Sequence, residues 1–412
     1  MKLDIKDFCV KILIRLIPLY QSIYVQWLRR KKKINIVFYA SSLAMWRYQH
    51  LYEKISVHPH FKTTIVILPT RYSREQQKQD VKRLVSFFTK KNIPYVLGQN
   101  EKGESINIKK VLSPDIIFYP QPYGNFYEKP HKFYFYMDRL LCYYPYAFWT
   151  NNGYWSYNLL FHNLAWKLFY STELHKKDAY HIAYNKGRNV EVVGYPTADD
   201  FLYREHIDFW KHQESKKKRV IWAPHFTISS GGFLSQSNFL WMADFMLEIA
   251  VKYFNNIQFA FKPHPRLYSE LCKSDVWGIK KTDEYYNKWA TMQNTQIETG
   301  EFVDLFMTSD AMVHDSGSFC VEYLYTNKPV MYIAKDFEEQ LKKCSEFGEM
   351  AMRQQYLGSK QEDIIRFIEN IVLDGDDYMA VERKEFVETF LVSPNGKTVA
   401  DNTMDVLLKE LC

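Results

Sequence analysis

No two cysteines in this chain stand in CxxC spacing, and the six present (Cys9, Cys142, Cys272, Cys320, Cys344, Cys412) are scattered without zinc-ligand spacing. A zinc module or dithiol redox centre is therefore not expected, and the pattern reads as free thiols in a reducing cytoplasm. Long hydrophobic runs are also missing. Within the apolar N-terminal segment Phe8–Leu28 the longest uncharged run, Leu16–Leu28, is too short to span a bilayer core as a helix, and no small-residue cleavage site follows to suggest a secretory signal. The glycine fingerprint GxGxxG does not occur, so a dinucleotide cofactor is unsupported and no cofactor of any kind is expected. Repeats and low-complexity tracts are likewise absent.

Net positive charge is missing from most of the chain. Residues 1–33 hold nine Lys/Arg and two acids, a net +7, leaving 45 basic and 45 acidic residues from totals of 54 and 47. The basic excess belongs to the N-terminal segment, so the folded body carries no nucleic-acid footprint. Within that segment, Phe8–Leu28 is apolar but interrupted by Lys11, Arg15 and Pro18, and it runs through Trp27 into Arg29-Arg30-Lys31-Lys32-Lys33. This suits a segment lying in a membrane interface, its cations drawn to anionic headgroups. The plainer alternative is a helix packed on the protein with a solvated basic cap.

What the chain does contain is bulk enough for two cores. At 412 residues, 47% apolar and 25% charged, two globular domains are the default. Tyr (31) and Phe (29) dominate an aromatic content of 17%, which favours sheet cores without naming a ligand. From Ile34 onward strand-like and helix-like segments alternate. Strands are expected at Ile34–Ala40, Thr63–Leu68, Tyr95–Leu97, Asp115–Tyr119 and Val190–Val193, with helices at Ser73–Lys91 and Asn158–Phe169. The charged stretch Asp199–Arg219 reads as a boundary. A second alternating unit follows: strands at Val220–Pro224, Ile257–Phe261, Ala311–His314 and Val330–Ile333, helices at Phe239–Tyr253, Phe302–Met307, Asp336–Cys344, Glu362–Val372 and Arg383–Leu391. A flexible Ser229-Ser230-Gly231-Gly232 loop is expected after the first of these strands. The domains expected are 1–33 (amphipathic basic segment), 34–205 and 206–375 (two Rossmann-like α/β units), and 376–412 (terminal helices packing back on the first unit).

Two punctuated motifs anchor the second unit. In Lys262-Pro263-His264-Pro265-Arg266 the prolines fix the backbone and forbid the strand to continue, holding His264 and Arg266 at the strand exit. Arg grips phosphate bidentately and His donates a hydrogen bond or a proton. In Asp315-Ser316-Gly317-Ser318 small hydroxylated residues stand where a strand gives way to a helix. Amides there suit an anion, and Gly317 permits close backbone approach. Each motif alone has a simpler reading, as a proline-capped strand end and as ordinary N-capping by Ser316 or Ser318. Glu322, one turn on, is placed to bind a ribose or to complete a cap. Asp374-Gly375-Asp376-Asp377 has the look of a metal-binding DxD but lies in a turn between helices, and no metal is expected.

Taken in order, the two motifs resemble the CDP-glycerol glycerophosphotransferase family, teichoic-acid-type polyol-phosphate transferases of GT-B fold. Lys262-Pro263-His264-Pro265 matches that family's Lys-x-His-Pro strand exit. Ser309-Asp310 through His314-Asp315-Ser316-Gly317-Ser318 matches its later Ser-Asp…Asp-x-Ser-Ser loop, and Trp222-Ala223-Pro224-His225 its second-domain opening. The likeness is close over residues 218–335. It implies an α/β, GT-B-like fold with two Rossmann-like domains and an interdomain cleft. It also implies pyrophosphate binding by Lys262, Arg266, Asp315, Ser316, Gly317, Ser318 and Glu322, with His264 catalytic. The family's first domain carries a Trp-His-Gly-Thr string whose His serves as base, but here the comparable region, Trp149–Trp155, has none. His225, which replaces a family Thr, and His162 on a following helix are the candidate substitutes, with His131 also nearby.

The expected activity is transfer of a glycerol-phosphate or related polyol- or sugar-phosphate from a CDP-alcohol donor to a hydroxyl of a lipid-linked or polymeric glycan acceptor, with release of CMP. The enzyme would be peripheral on the cytoplasmic face of the cell membrane, held to the inner membrane surface through residues 1–33. A nucleotide-sugar glycosyltransferase of capsule or lipopolysaccharide synthesis is the runner-up, and a catalytically degenerate membrane scaffold for polymer synthesis the third reading.

Overall fold

A computed structural model describes residues 5–69, 74–124, 127–151, 153–228, 237–317 and 319–412. The chain forms two compact units. Residues 1–199 and 391–412 make the first, and residues 200–390 the second.

The first unit is built on seven parallel strands: β1 (Ile34–Ala40), β2 (Phe61–Ile67), β3 (Tyr95–Leu97), β4 (Ile116–Tyr119), β5 (Leu140–Tyr143), β6 (Lys167–Tyr170) and β7 (Val190–Val192). Their order is β3-β2-β1-β4-β5-β6-β7, a doubly wound sheet whose direction of winding reverses between β1 and β4. Both faces are covered, so the strands read as nearly unbroken apolar runs. Ile36, Phe38, Phe118, Leu140 and Cys142 enter one core, and Val37, Tyr39, Ile117, Tyr119, Leu141 and Tyr143 the other. The helix expected over Asn158–Phe169 is corrected here. It ends at Leu164, and Lys167–Tyr170 pairs with β5 and β7 as β6. Sheet pairing overrides the local helical pattern, because the apolar Leu168 and Phe169 gain more from two flanking strands than from one more helical turn.

The first core is closed by the chain's last helix, Val399–Leu411, which sends Val399, Met404, Leu407 and Leu411 into it. Asp199 caps that helix by accepting from the Val399 N–H at 2.9 Å and the Ala400 N–H at 3.2 Å. Gly194 permits the approach. It holds φ +100°, and a Cβ there would fall 2.6 Å from Ser393 Oγ and 2.9 Å from a Val399 methyl.

Helix α1 (Ile5–Leu28) lies beneath the amino ends of this sheet. Its polar side chains meet the residues that precede successive strands. Tyr24 Oη and Lys31 Nζ donate to Asp115, before β4, at 2.9 and 2.6 Å. Tyr20 Oη reaches the Asp138 carbonyl, before β5, at 3.1 Å, and Gln21 Nε2 the Leu164 carbonyl, before β6, at 2.9 Å. Arg188, before β7, donates to the Ile14 carbonyl. Ile14, Gln21, Val25 and Leu28 are buried, while Ile12, Leu16, Leu19, Tyr20, Ile23 and Trp27 are exposed. Those exposed positions recur every three or four residues and form one apolar stripe along the helix.

The second unit has six parallel strands: β8 (Lys218–Ala223), β9 (Ile257–Phe261), β10 (Thr295–Ile297), β11 (Ala311–His314), β12 (Val330–Ile333) and β13 (Tyr356–Gly358). The order β10-β9-β8-β11-β12-β13 places the winding reversal between β8 and β11. Trp222 anchors one face, stacked on Phe261 at 5.0 Å and Phe239 at 5.7 Å. Far from this, the fully buried Arg383 grips Asp377 through two bonds of 2.9 and 3.0 Å, and Tyr356 Oη adds a third to the same carboxylate at 2.8 Å. Asp377 is thus the partner of a buried guanidinium. Removing one member of such a pair leaves an unpaired buried charge at a cost of about 3–5 kcal/mol. D377A is therefore expected to lower unfolding free energy by that amount in urea titration, and a change below about 1 kcal/mol would show that the pair contributes little.

Candidate active site

Three loops leave the carboxyl ends of β8, β9 and β11, the edge where doubly wound sheets collect ligands beside their winding reversal. Because β8 pairs with both β9 and β11, the proline-locked loop and the Asp-Ser-Gly loop stand on either side of Pro224-His225-Phe226. The backbone joins them: the His264 N–H donates to the Pro224 carbonyl at 3.1 Å, and the His225 N–H to Asp315 Oδ1 at 2.6 Å.

Four side chains form a continuous cluster at this edge, the two imidazoles edge to face and Phe226 tilted against both. The His225 and His264 rings lie 5.1 Å apart, Phe226 is 4.4 Å from His264 and 4.5 Å from His225, and the Arg266 guanidinium covers Phe226 at 4.2 Å. Arg266 is otherwise exposed and reaches Glu270 at 3.4 Å. Both histidines are held neutral. Burial, then the charges of His225 and Arg266, lowers His264 to about 3, while burial and Arg266 lower His225 to about 4. The tautomer of His264 follows from its neighbours: Nδ1 accepts from the Arg266 N–H at 3.1 Å, so the ring proton sits on Nε2 as a hydrogen-bond donor. His225 Nδ1 shares a 2.9 Å bond with Thr227 Oγ1.

The residues of the Asp315 loop divide by role. Asp315 is buried and its carboxylate is fully engaged, accepting from the His225 N–H and, on Oδ2, from the Asn238 N–H at 2.5 Å and Asn238 Nδ2 at 3.4 Å. It ties Asn238, at the start of helix Phe239–Lys252, to the exit of β8. Burial nevertheless pushes Asp315 up to about 6, against the pull of those donors. Ser316 is buried, and its N–H donates to His314 Nδ1 at 3.2 Å. His314 Nε2 in turn donates to Gln355 Oε1 at 2.8 Å, and Gln355 Nε2 donates to the Cys320 carbonyl at 3.1 Å. The loop is therefore braced from behind by a buried His–Gln pair. Gly317 follows, half-buried. Ser318 and the Ser229-Ser230-Gly231-Gly232 loop lie outside the described residues.

Lys262 is buried, and Nζ donates to the Gly300 carbonyl at 2.8 Å, shaping the loop after β10. Burial lowers it to about 8, opposed by Glu298, Glu301 and Glu322. Glu322 is itself buried, at the end of the short helix Phe319–Glu322.

In the first unit His162 is buried, with Nδ1 accepting from the Leu159 N–H at 3.2 Å and burial lowering it to about 3. Its basic nitrogen is occupied, and the protonated Nε2 has no partner among the described residues. His131 is buried with Nε2 at 3.2 Å from the Gly98 carbonyl. His175, which sequence reasoning passed over, is buried and bridges Thr172 Oγ1 at 2.7 Å and the Trp149 carbonyl at 3.0 Å. Sequence reasoning also passed over Asn238, Phe226, His314 and Gln355. Only His314 carried a signal, a polar side chain at the last position of a buried strand. The others act through contacts between distant segments.

Residues 150–408 match the family described as CDP-Glycerol:Poly(glycerophosphate) glycerophosphotransferase. No curated protein matches the chain. Among solved structures, a variant of the wall teichoic acid polymerase TagF aligns over 99% of this chain and 98% of its own at 11% identity, with a TM-score of 0.59. The UDP-GlcNAc 2-epimerase from Neisseria meningitidis, bound to UDP-GlcNAc, aligns over 92% of this chain and 99% of its own at 14% identity and a TM-score of 0.52. The epimerase from Methanocaldococcus jannaschii aligns over 91% and 99%, at 14% identity and a TM-score of 0.51. At these identities the likeness establishes a GT-B-like fold.

The Asp315 clamp has a pH signature. Its carboxyl titrates at about 6 when folded, against an ordinary value of 3.8, so the folded state binds the proton more tightly than the unfolded chain. Stability from this group is fully present below about pH 4 and is lost as pH rises through about 6, by at most about 3 kcal/mol. D315N, which cannot ionise, should remove that step from urea-unfolding curves taken between pH 4 and 7. An identical pH dependence in wild type and variant would assign the step elsewhere.

Proposed function

The chain belongs to the CDP-glycerol:poly(glycerophosphate) glycerophosphotransferase family, and we infer from that premise that it transfers a glycerol-phosphate, or a related polyol- or sugar-phosphate, from a CDP-activated donor to a hydroxyl of a lipid-linked or polymeric glycan acceptor. The acceptor oxygen attacks the phosphorus nearer the transferred alcohol, the bond from that phosphorus to the bridging oxygen breaks, and CMP departs with the electron pair. The acceptor proton passes to a base or to solvent.

The observation that carries this reading is the proline-locked His264, neutral and with its proton on Nε2, beside His225 and the braced Ser316 loop. A neutral donor at that position stabilises the charge that builds on the departing phosphate without first having to take up a proton. Arg266, exposed and stacked on Phe226, supplies the cation, and Gly317 offers backbone at close range. Lys262 and Asp315 act behind these groups. Lys262 holds the Gly300 carbonyl, and Asp315 holds His225 and Asn238 in place. Glu322 lies in the electrostatic reach of Lys262, within the same edge, and suits a ribose hydroxyl. Of the candidate bases, both have Nδ1 engaged, but His225 is only half-buried and lies at the same edge as His264, whereas His162 is fully buried.

Docking on the cytoplasmic face of a membrane completes the proposal. No helix among the described residues is long and apolar enough to cross a bilayer. The exposed stripe of α1, with Ile23 71% and Leu19 63% accessible, is instead matched to lying in the interface. It runs directly into Arg29-Arg30-Lys31-Lys32-Lys33, of which all but Lys31, paired with Asp115, are exposed, and each exposed cation near an anionic surface contributes about 1 kcal/mol.

Two measurements test these readings. Purified protein with CDP-glycerol or CDP-ribitol and a glycan acceptor should release CMP, and H264A should lower kcat by about 100-fold. Release of UDP or GDP from nucleotide sugars would favour the glycosyltransferase alternative, and unchanged surface polymer in cells carrying H264A would favour the scaffold. For the membrane, L19D/I23D should abolish co-sedimentation with phosphatidylglycerol vesicles while leaving the far-ultraviolet spectrum unchanged. Recovery equal to wild type would remove α1 from the docking face.

A further inference from the structure

Four large aromatic side chains that belong to neither core stand exposed together on the first unit. Tyr154 and Trp155 lie on the short helix Tyr154–Tyr157, and Tyr180 and Tyr184 at the end of helix Glu173–Ile182 and just beyond it. Each is at least half accessible, Trp155 at 68%. Single exposed aromatics are unremarkable, but a contiguous set on one surface marks an interaction site.

The set is contiguous. The Tyr154 and Trp155 rings are 6.1 Å apart. Asn158 joins the two segments: its N–H donates to the Tyr154 carbonyl at 2.8 Å, and its Oδ1 accepts from the Tyr184 N–H at 2.9 Å. Tyr184 is close enough to Tyr154 to raise that phenol's pKa, after burial. Lys186 Nζ sits 5.2 Å over the Tyr180 ring. The turn that carries it is locked, with Lys186 at φ 56° and Gly187 at φ 60°. A Cβ on Gly187 would meet Ala179 at 3.0 Å. The surface is therefore preformed.

Its position and charge select the occupant. The turn leads into the amino end of β7, and its Arg188 donates to the Ile14 carbonyl of α1. The turn beside the aromatic set thus adjoins α1 at the amino edge of the first unit's own sheet. A bilayer lying against α1 extends naturally over this neighbouring surface. Lys177, Lys186 and Arg188 are exposed here. Of the helix's acids, Asp178 is half-buried against Tyr157 Oη at 3.3 Å, and Glu173 sits at the far end. Tyr and Trp with flanking cations are the side chains that settle at headgroup depth, ring inward and polar tip outward.

We propose that Tyr154, Trp155, Tyr180 and Tyr184, with Lys186, form a second bilayer contact that seats in the headgroup layer of an anionic membrane beside α1. Two contacts on different elements fix the orientation of the unit on the surface, which a single helix leaves free to roll about its axis. This inference rests on the membrane reading of α1, and the test separates the two.

Full-length Y154S/W155S and Y180S/Y184S proteins are compared with wild type and L19D/I23D by co-sedimentation with vesicles of equimolar phosphatidylcholine and phosphatidylglycerol. Thermal unfolding confirms that each variant is folded. Each aromatic double variant should bind about tenfold more weakly, and hydrogen exchange over residues 173–189 of the wild type should slow when vesicles are added. If the aromatic variants bind like wild type while L19D/I23D does not, the second contact is wrong and α1 alone docks. If wild type itself does not bind vesicles, both ideas fall. If the aromatic variants keep vesicle binding but lose binding to soluble poly(glycerol phosphate), the surface is a polymer platform and this proposal is overturned.

Discussion

One buried carboxylate organises the candidate site. Asp315 leaves β11 and takes the His225 N–H from the β8 exit on one oxygen and the Asn238 N–H on the other. A carboxylate is the side chain that can accept at both oxygens at once, and an isosteric amide would set its own N–H against one of these donors. The bridge is made in low dielectric, which strengthens each hydrogen bond but penalises the charge, and the raised pKa records the balance. The position of His225, and through the ring contact that of His264, follows from it.

Around that bridge the polar groups sort into those with donors left open and those committed to the protein itself. His264 and Arg266 keep donors free, His264 at Nε2 and Arg266 at an exposed guanidinium. Lys262, His314 and Gln355 are committed to protein carbonyls, amides or each other. Positively charged groups are few at this edge: two imidazoles are neutral and one ammonium is buried. In the proposed reaction neutral hydrogen-bond donors would carry much of the work that a crowd of cations does elsewhere, and they avoid the desolvation cost of burying charge.

The alternation of strand and helix, and the strand exits that bear the two motifs, were legible because buried parallel strands write themselves as short apolar runs that stop at a polar or charged residue. Ile34–Ala40, Ile257–Phe261 and Ala311–His314 are such runs, and their limits coincide with the observed strands. Lys167–Tyr170 was not legible, since its residues continue a helical pattern and only neighbouring strands make it β. The short edge strands Thr295–Ile297 and Tyr356–Gly358 were too brief to announce themselves. In the site, residue types were readable but protonation and partner were not. That Lys262 turns to a carbonyl, or that Asn238 meets Asp315 across 77 positions of sequence, depends on where distant segments come together. The apolar and basic character of residues 1–33 could be read directly, whereas the division of α1 into a buried and an exposed face required the sheet beneath which it lies.

The helix Val399–Leu411 has a consequence for how the chain is made. It supplies Leu407 and Leu411 to the core that Ile34–Ala40 begins, so that core is bounded by the earliest strand and the latest helix. A nascent chain emerging from the ribosome can finish residues 200–390 while the preceding unit still shows an open apolar face. The usual order, in which the N-terminal body matures first, is inverted here, and the half-built sheet must wait for residues 391–412 to be made before water is excluded from it.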